Sequence, residues 1–177
     1  MEFLQKIDEY LFYLINSLGW KQMDEVMILI SSKWFWIPLY IYIIFLIYKN
    51  FKSDFYKILI ALALLIFLAD FGSVHFFKEV FERDRPCHIL DGVRLVDRCG
   101  GPYGFVSSHA SNCFAIAFFI SLLLRSNKVF FWIFNWAVIV GLSRIYLGVH
   151  YPFDILGGMF WGLFVSLLVY KFYNRFK

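Results

Sequence analysis

At 177 residues the chain is long enough for one domain or a small helical bundle, yet 61% of it is apolar, 23% aromatic and only 17% charged. Water-soluble domains carry about 25% charged and about 45 to 50% apolar residues, so both values deviate towards a protein whose solvent is a bilayer. Disorder, coiled coil, collagen and a disulfide scaffold are excluded, and a net charge of +4 from 17 basic and 13 acidic residues is too small to indicate nucleic acid.

In chain order, Phe3, Leu4, Ile7, Leu11, Leu14, Ile15 and Leu18 recur at helical spacing, while Glu2, Gln5, Lys6, Asp8 and Glu9 take the other positions. That pattern predicts an amphipathic helix lying in the membrane interface, with a short sixth span as the alternative. There is no basic region, long apolar core and small-residue cleavage site of a secretory signal. Five long apolar runs come next, Trp34–Tyr48, Ile58–Phe77, Ala110–Leu124, Val129–Leu147 and Pro152–Tyr170. The first and third are short for a span and are expected to extend towards Met27 and Val106. The fold class is therefore all-α: a polytopic membrane helical bundle of five transmembrane helices, or six, plus the interfacial helix. Residues 1–33 form the N-terminal interfacial segment and 34–177 the transmembrane domain.

Charge placement predicts the orientation. Lys49, Lys52 and Lys57 against Asp54, then Arg125 with Lys128, then Lys171, Arg175 and Lys177 give +2, +2 and +3 on one side of the spans. On the other side, residues 1–33 are net acidic and the loop from Lys78 to Gly100 carries five basic and five acidic residues. The positive-inside rule puts the first group, and the C-terminus, in the cytoplasm. The long loop and the turn at His150 then face outward.

The unusual polar residues gather at those outward ends. Lys78 and Arg85 are seven residues apart, which on a helix ended by Pro86 places both on one face, suited either to a phosphate or to pairing with Glu79, Glu82 and Asp84. Gly100-Gly-Pro-Tyr-Gly-Phe-Val-Ser107-Ser108-His109 is a glycine-rich loop entering a helix, which can offer backbone N–H groups to an anion; either serine can equally be an N-cap. Ser143-Arg144 precedes His150 and Asp154, whose i, i+4 spacing lets the carboxylate reach the imidazole and fix its tautomer.

These blocks resemble the three signature motifs of the type 2 phosphatidic acid phosphatase family of membrane lipid phosphatases, K-x6-R-P, P-S-G-H and S-R-x5-H-x3-D. Lys78 to Arg85-Pro86 and Ser143-Arg144 to His150 to Asp154 match at every defining position. Val106-Ser107-Ser108-His109 departs at Val106 and Ser108, so the loop keeps its role only if residue 108 needs no positive φ. The resemblance covers about residues 58–170. It implies His150 as the nucleophile that becomes a phosphohistidine, Asp154 as the residue orienting it, and His109 as general acid and then base. Lys78, Arg85, Arg144, Ser107 and Ser108 would hold the phosphate oxygens, with no metal and no cofactor. The substrate it implies is a membrane lipid phosphate at the periplasmic face of a bacterial inner membrane. Lipid A, at its 1- or 4′-phosphate, ranks ahead of undecaprenyl diphosphate and phosphatidylglycerol phosphate; no nucleic acid and no obligate protein partner are implied. A lipid transporter, the non-enzymatic alternative, would spread charges through the membrane depth, whereas only Asp70 lies deep in a span.

Three features remain. Cys87 and Cys99 bracket the outward loop and either form a disulfide on an oxidising side or stay free thiols, while Cys113 lies within a span. Asp70 requires a polar partner, for which Asn112 and Asn135 are candidates. Trp34, Trp36, Tyr40, Tyr103, Tyr146 and Tyr151 near span ends read as an interfacial belt.

Overall fold

The computed structural model of the chain describes residues 2–176; Met1 and Lys177, the latter one of the C-terminal cations of the charge pattern, lie outside them. Among the described residues all regular secondary structure is helical, without strands, and one β-bridge joins Asp84 to Tyr103. The elements are α1 (Glu2–Asn16), α2 (Lys21–Ser31), α3 (Ile37–Asn50) and, after a 3-10 turn, α4 (Phe55–Gly72). A π-helical turn at Ser73–Lys78 leads into α5 (Glu79–Phe81), followed by α6 (Pro86–Ile89), α7 (Ser108–Leu124), α8 (Asn127–Tyr146) and α9 (Pro152–Arg175).

Three helical stretches, Lys52–Phe81, Asn127–Tyr146 and Pro152–Arg175, are long and apolar enough to cross a membrane, while α3 and α7 are apolar but shorter. The run beginning at Trp34 does not extend towards Met27. Ser32 leaves α2 in an extended conformation, and Pro38, without an amide hydrogen to donate, opens a separate helix. The π turn adds a residue to the helical repeat ahead of Lys78, which rotates the residues beyond it relative to a regular helix.

Helix α7 is the centre of the bundle, flanked by α4, α8 and α9. Its closest neighbour is α9, and glycine is the reason. A Cβ added to Gly158 would lie 2.8 Å from the Ser107 carbonyl oxygen, and one on Gly162 would lie 2.7 Å from both Ala115 N and Ser111 O. A Gly-x-x-x-Gly face lets the two backbones touch, which is how helices associate where water supplies no driving force. The same contact sets the first turns of α7 and α9 side by side.

The N-terminal segment differs from the expectation. It is two helices, because α1 stops at Asn16, whose side-chain amide donates to the Tyr146 and Arg94 carbonyls and whose oxygen accepts from Arg94 N. Phe3, Leu4, Tyr10, Leu14 and Leu18 are exposed. Asp8, which periodicity places on the solvated side, is instead fully buried against α9 with Phe12. Tyr146 and Tyr151 do not belong to an aromatic belt: both are buried, Tyr146 donating to Asp24 at 2.8 Å and Tyr151 lying beneath Arg83.

Candidate active site

Three segments converge at the start of α7 and α9. His150 ends the turn after α8, and Pro152 opens α9, so Asp154 falls in the first helical turn. There its Oδ2 accepts the Tyr151 amide at 2.9 Å and lies 3.2 Å from His150 Nδ1. A carboxylate only accepts, so Nδ1 carries the proton and Nε2 presents a lone pair. Arg85 Nη1 donates to that Nε2 at 3.1 Å. Burial first, then the cations Arg85, Arg144 and Lys78, hold His150 well below the usual imidazole range, so the ring is neutral.

Arg85 does not share a helix face with Lys78. The helix ends where Glu82 turns left-handed (φ 45°), and Arg85 is an extended residue whose Pro86 opens α6 rather than closing a helix. The tertiary fold brings the two cations together instead. Arg85 is aimed by its Nε on the Gly101 carbonyl at 2.7 Å and by Nη1 on the Val149 carbonyl at 3.1 Å, while Lys78 donates to Ser108 Oγ at 2.6 Å. Ser108 Oγ also meets Ser73 Oγ at 2.7 Å. Arg144 reaches in from α8, its Nη1 on the Ser31 hydroxyl of α2 and its buried Nε without a protein partner. Among the described residues no carboxylate forms an ion pair with Lys78, Arg85 or Arg144, so the pairing alternative with Glu79, Glu82 or Asp84 is not realised. The three cations and both His109 and His150 lie within electrostatic range of one another. Cationic groups gathered without a carboxylate paired directly to any of them constitute a site for an anion.

In the glycine-rich loop, Ser107 is the N-cap of α7 and fully buried; its Oγ faces Ala110 N at 3.5 Å and its own amide donates to the Asp154 carbonyl at 3.0 Å. The Gly104 amide is likewise committed, to the Arg83 carbonyl at 2.8 Å. The first-turn amides of Ser108 and His109 have no intrahelical acceptor and remain for an anion. Ser108 is helical; among non-glycine residues described, only Glu82 and Arg125 have positive φ, so a serine fits position 108 without strain. Gly104 sits hard against the histidine and its carboxylate, where an added Cβ would lie 3.0 Å from Asp154 Oδ2 and 3.6 Å from His150 Nδ1.

His109 opens onto a cavity of about 430 Å³ walled by Tyr40, Ile66, Cys113, Ile116 and Val140. Asp70 lines it and accepts from Asn112 Nδ2 at 3.2 Å, while Asn135 bonds to the Phe131 carbonyl instead. Cys87 and Cys99 are joined in a disulfide with Cα atoms 6.0 Å apart, and Cys113 is a buried free thiol. That bond ties the segment after Arg85 to the loop that carries Arg85's carbonyl acceptor. Ser31, Ser73, Arg83 and Asp8 escape a sequence reading, because each is distant in sequence from the group it holds; the sole local signal is Arg83's place two residues before Arg85.

The profile of the PAP2 superfamily matches residues 55–177. The chain is 37% identical to a lipid A 4′-phosphatase of Porphyromonas gingivalis, over 98% of this chain and 75% of the relative. It is 35% identical to a lipid A 4′-phosphatase of Bacteroides thetaiotaomicron, over 96% and 78%. Among solved structures it resembles the transmembrane PAP2-type phosphatidylglycerolphosphate phosphatase of Bacillus subtilis, with a TM-score of 0.78 and 27% identity over 100% of this chain and 89% of the other.

Proposed function

Since the chain belongs to the PAP2 superfamily, we propose that it is an integral membrane phosphatase that removes the 4′-phosphate of lipid A at the periplasmic face of a bacterial inner membrane. The observation that carries the reaction is the convergence of Lys78, Arg85 and Arg144 on a neutral His150 whose proton is held by Asp154. The phosphate displaces the Arg85 contact and takes its N–H groups, which frees His150 Nε2 to attack phosphorus. As the P–N bond forms, the P–O ester bond breaks and His109 gives its proton to the departing sugar oxygen. His109 then takes a proton from water, whose oxygen attacks phosphorus, breaks the P–N bond and releases inorganic phosphate. Charge that moves onto the nonbridging oxygens is met by three fixed cations and the α7 amides.

The similarity to lipid A 4′-phosphatases supports the substrate, and the apolar cavity beside His109 offers room for acyl chain. The proposed topology has five spans, with α3 and α7 completing the three long helices, α1 in the outer interface and the C-terminus in the cytoplasm; the Cys87–Cys99 bond is consistent with an oxidising outer side. Phosphate release by the purified protein, with EDTA present, is measured on lipid A, undecaprenyl diphosphate, phosphatidylglycerol phosphate and phosphatidate. Preferred turnover of lipid A with loss of its 4′-phosphate is expected. Turnover of another lipid alone refutes the substrate, failure on all four refutes the reaction, and wild-type turnover by His150→Ala refutes the nucleophile.

A further inference from the structure

Arg83 occupies a variable position within the first signature block and is none of its defining residues, and Asp8 lies outside all three blocks and outside the family match altogether. The two nevertheless complete the surroundings of the catalytic carboxylate. Asp154 is 0% exposed, and with Oδ2 given to Tyr151 N and His150, its Oδ1 accepts Arg83 Nη1 at 2.9 Å. The other arm of that guanidinium, Nη2, donates to Asp8 Oδ2 at 2.7 Å. Asp8, also 0% exposed, uses Oδ1 to accept the Phe153 amide at 2.9 Å, so it caps the first turn of α9 from outside. The Arg83 guanidinium lies 4.1 Å from the Tyr151 ring centre, which fixes its plane.

We propose that Asp8 and Arg83 are positioning residues for the phosphotransfer step, acting through Asp154 on His150, so that helix α1 is a working part of the catalytic apparatus; this rests on His150 being the nucleophile. A guanidinium bound to Asp154 alone would neutralise it and weaken its hold on the Nδ1 proton just when positive charge grows on the ring. Asp8 on the opposite arm shares the cation, leaving Asp8, Arg83 and Asp154 with a net charge of −1 facing the imidazole. The forked contact also fixes the orientation of the Asp154 carboxylate plane, because Oδ1 cannot turn away without breaking it. A tie that only fastened α1 to α9 would not need two buried carboxylates, whose desolvation is costly.

Asp8→Asn tests this, since the amide oxygen can still accept from Phe153 N while the charge is lost. The expected result is a kcat about tenfold lower with KM changed less than about twofold, the signature of an interaction that matters in the transition state. In an Asp154→Asn background the same substitution is expected to change the residual kcat by less than about twofold, because its route to His150 is already cut. Asp8→Glu, which restores the charge, is expected to recover part of the loss. Wild-type kcat in Asp8→Asn, or an equal loss in both backgrounds, overturns the inference and leaves the phosphatase reading standing. Wild-type turnover by Asp154→Asn overturns both.

Discussion

Gly104→Ala isolates the geometry of the histidine and its carboxylate without altering any of the reacting groups. Gly104 is not in the left-handed region, so alanine can adopt its backbone conformation, and the whole effect is the space its methyl needs. That methyl would lie 3.0 Å from Asp154 Oδ2 and 3.3 Å from Arg85 Cγ. Oδ2 must retreat by a few tenths of an ångström, which weakens its contact with His150 Nδ1, at 3.2 Å already at the long end for a hydrogen bond. A hydrogen bond to a charged group contributes about 1.5–3 kcal/mol, and forfeiting about half of it raises the barrier by about 0.8–1.5 kcal/mol, or about fourfold to tenfold in kcat. Stability should barely move, since alanine restricts the unfolded chain by about as much as the local crowding costs. Phosphate release from the preferred lipid, measured with thermal unfolding on the same detergent preparation, is the assay. Gly104→Val should lose more, because its extra methyls also reach Arg85. A Gly104→Ala protein that is folded and retains wild-type kcat would show that the Asp154–His150 contact does not govern turnover.

Gly162→Ala should destabilise the α7–α9 contact by about 2–3 kcal/mol, because its Cβ meets backbone atoms that cannot rotate away; a Tm equal to or above wild type, as helix propensity alone would give, refutes this. Replacing both Cys87 and Cys99 by serine opens a loop of 12 residues' separation and should cost about 3 kcal/mol in the chain-entropy account, read as a lower Tm. An unchanged Tm would mean that the bond does not hold the loop in solution. Because His150 is held neutral in the fold, its contribution to stability is fully present above about pH 6.5 and declines as pH falls below it, where the unfolded chain takes up a proton that the buried ring does not. The Tm difference between wild type and His150→Ala should therefore shift against wild type between about pH 6.5 and 5, and a difference constant across that range would contradict the neutral ring.

Residues close in sequence were legible without the structure. His150 and Asp154 meet because four residues with a proline at N1 leave the first turn of α9 little choice, and the observed contact agrees with that spacing. Asp70 was legible for a different reason: a carboxylate within a bilayer requires a partner, and Asn112 supplies it. Spacing misled where the helix was assumed to continue. Lys78 and Arg85 share a site without sharing a helix, since the chain turns at Glu82 and the Gly101 and Val149 carbonyls aim Arg85 instead. Asp8 misled more deeply, because periodicity assigns a charge in an amphipathic helix to solvent, and its burial is accommodated by the ion pair with Arg83 and the hydrogen bond from the Phe153 amide.

The sequence by itself determined the bilayer as solvent, the helical class, the order of the motifs and the chemistry they resemble, because composition and short-range spacing act within one or two helical turns. Tertiary structure decided which cations face the histidine, how closely α9 approaches α7 through Gly158 and Gly162, and that Asp8 of the first helix reaches the carboxylate of the last. Apart from Arg144, six residues before His150, those groups are far apart in sequence, 65 positions for Arg85 and His150 and 145 for Asp8 and Phe153; the packing of whole helices sets them, and no local pattern encodes them.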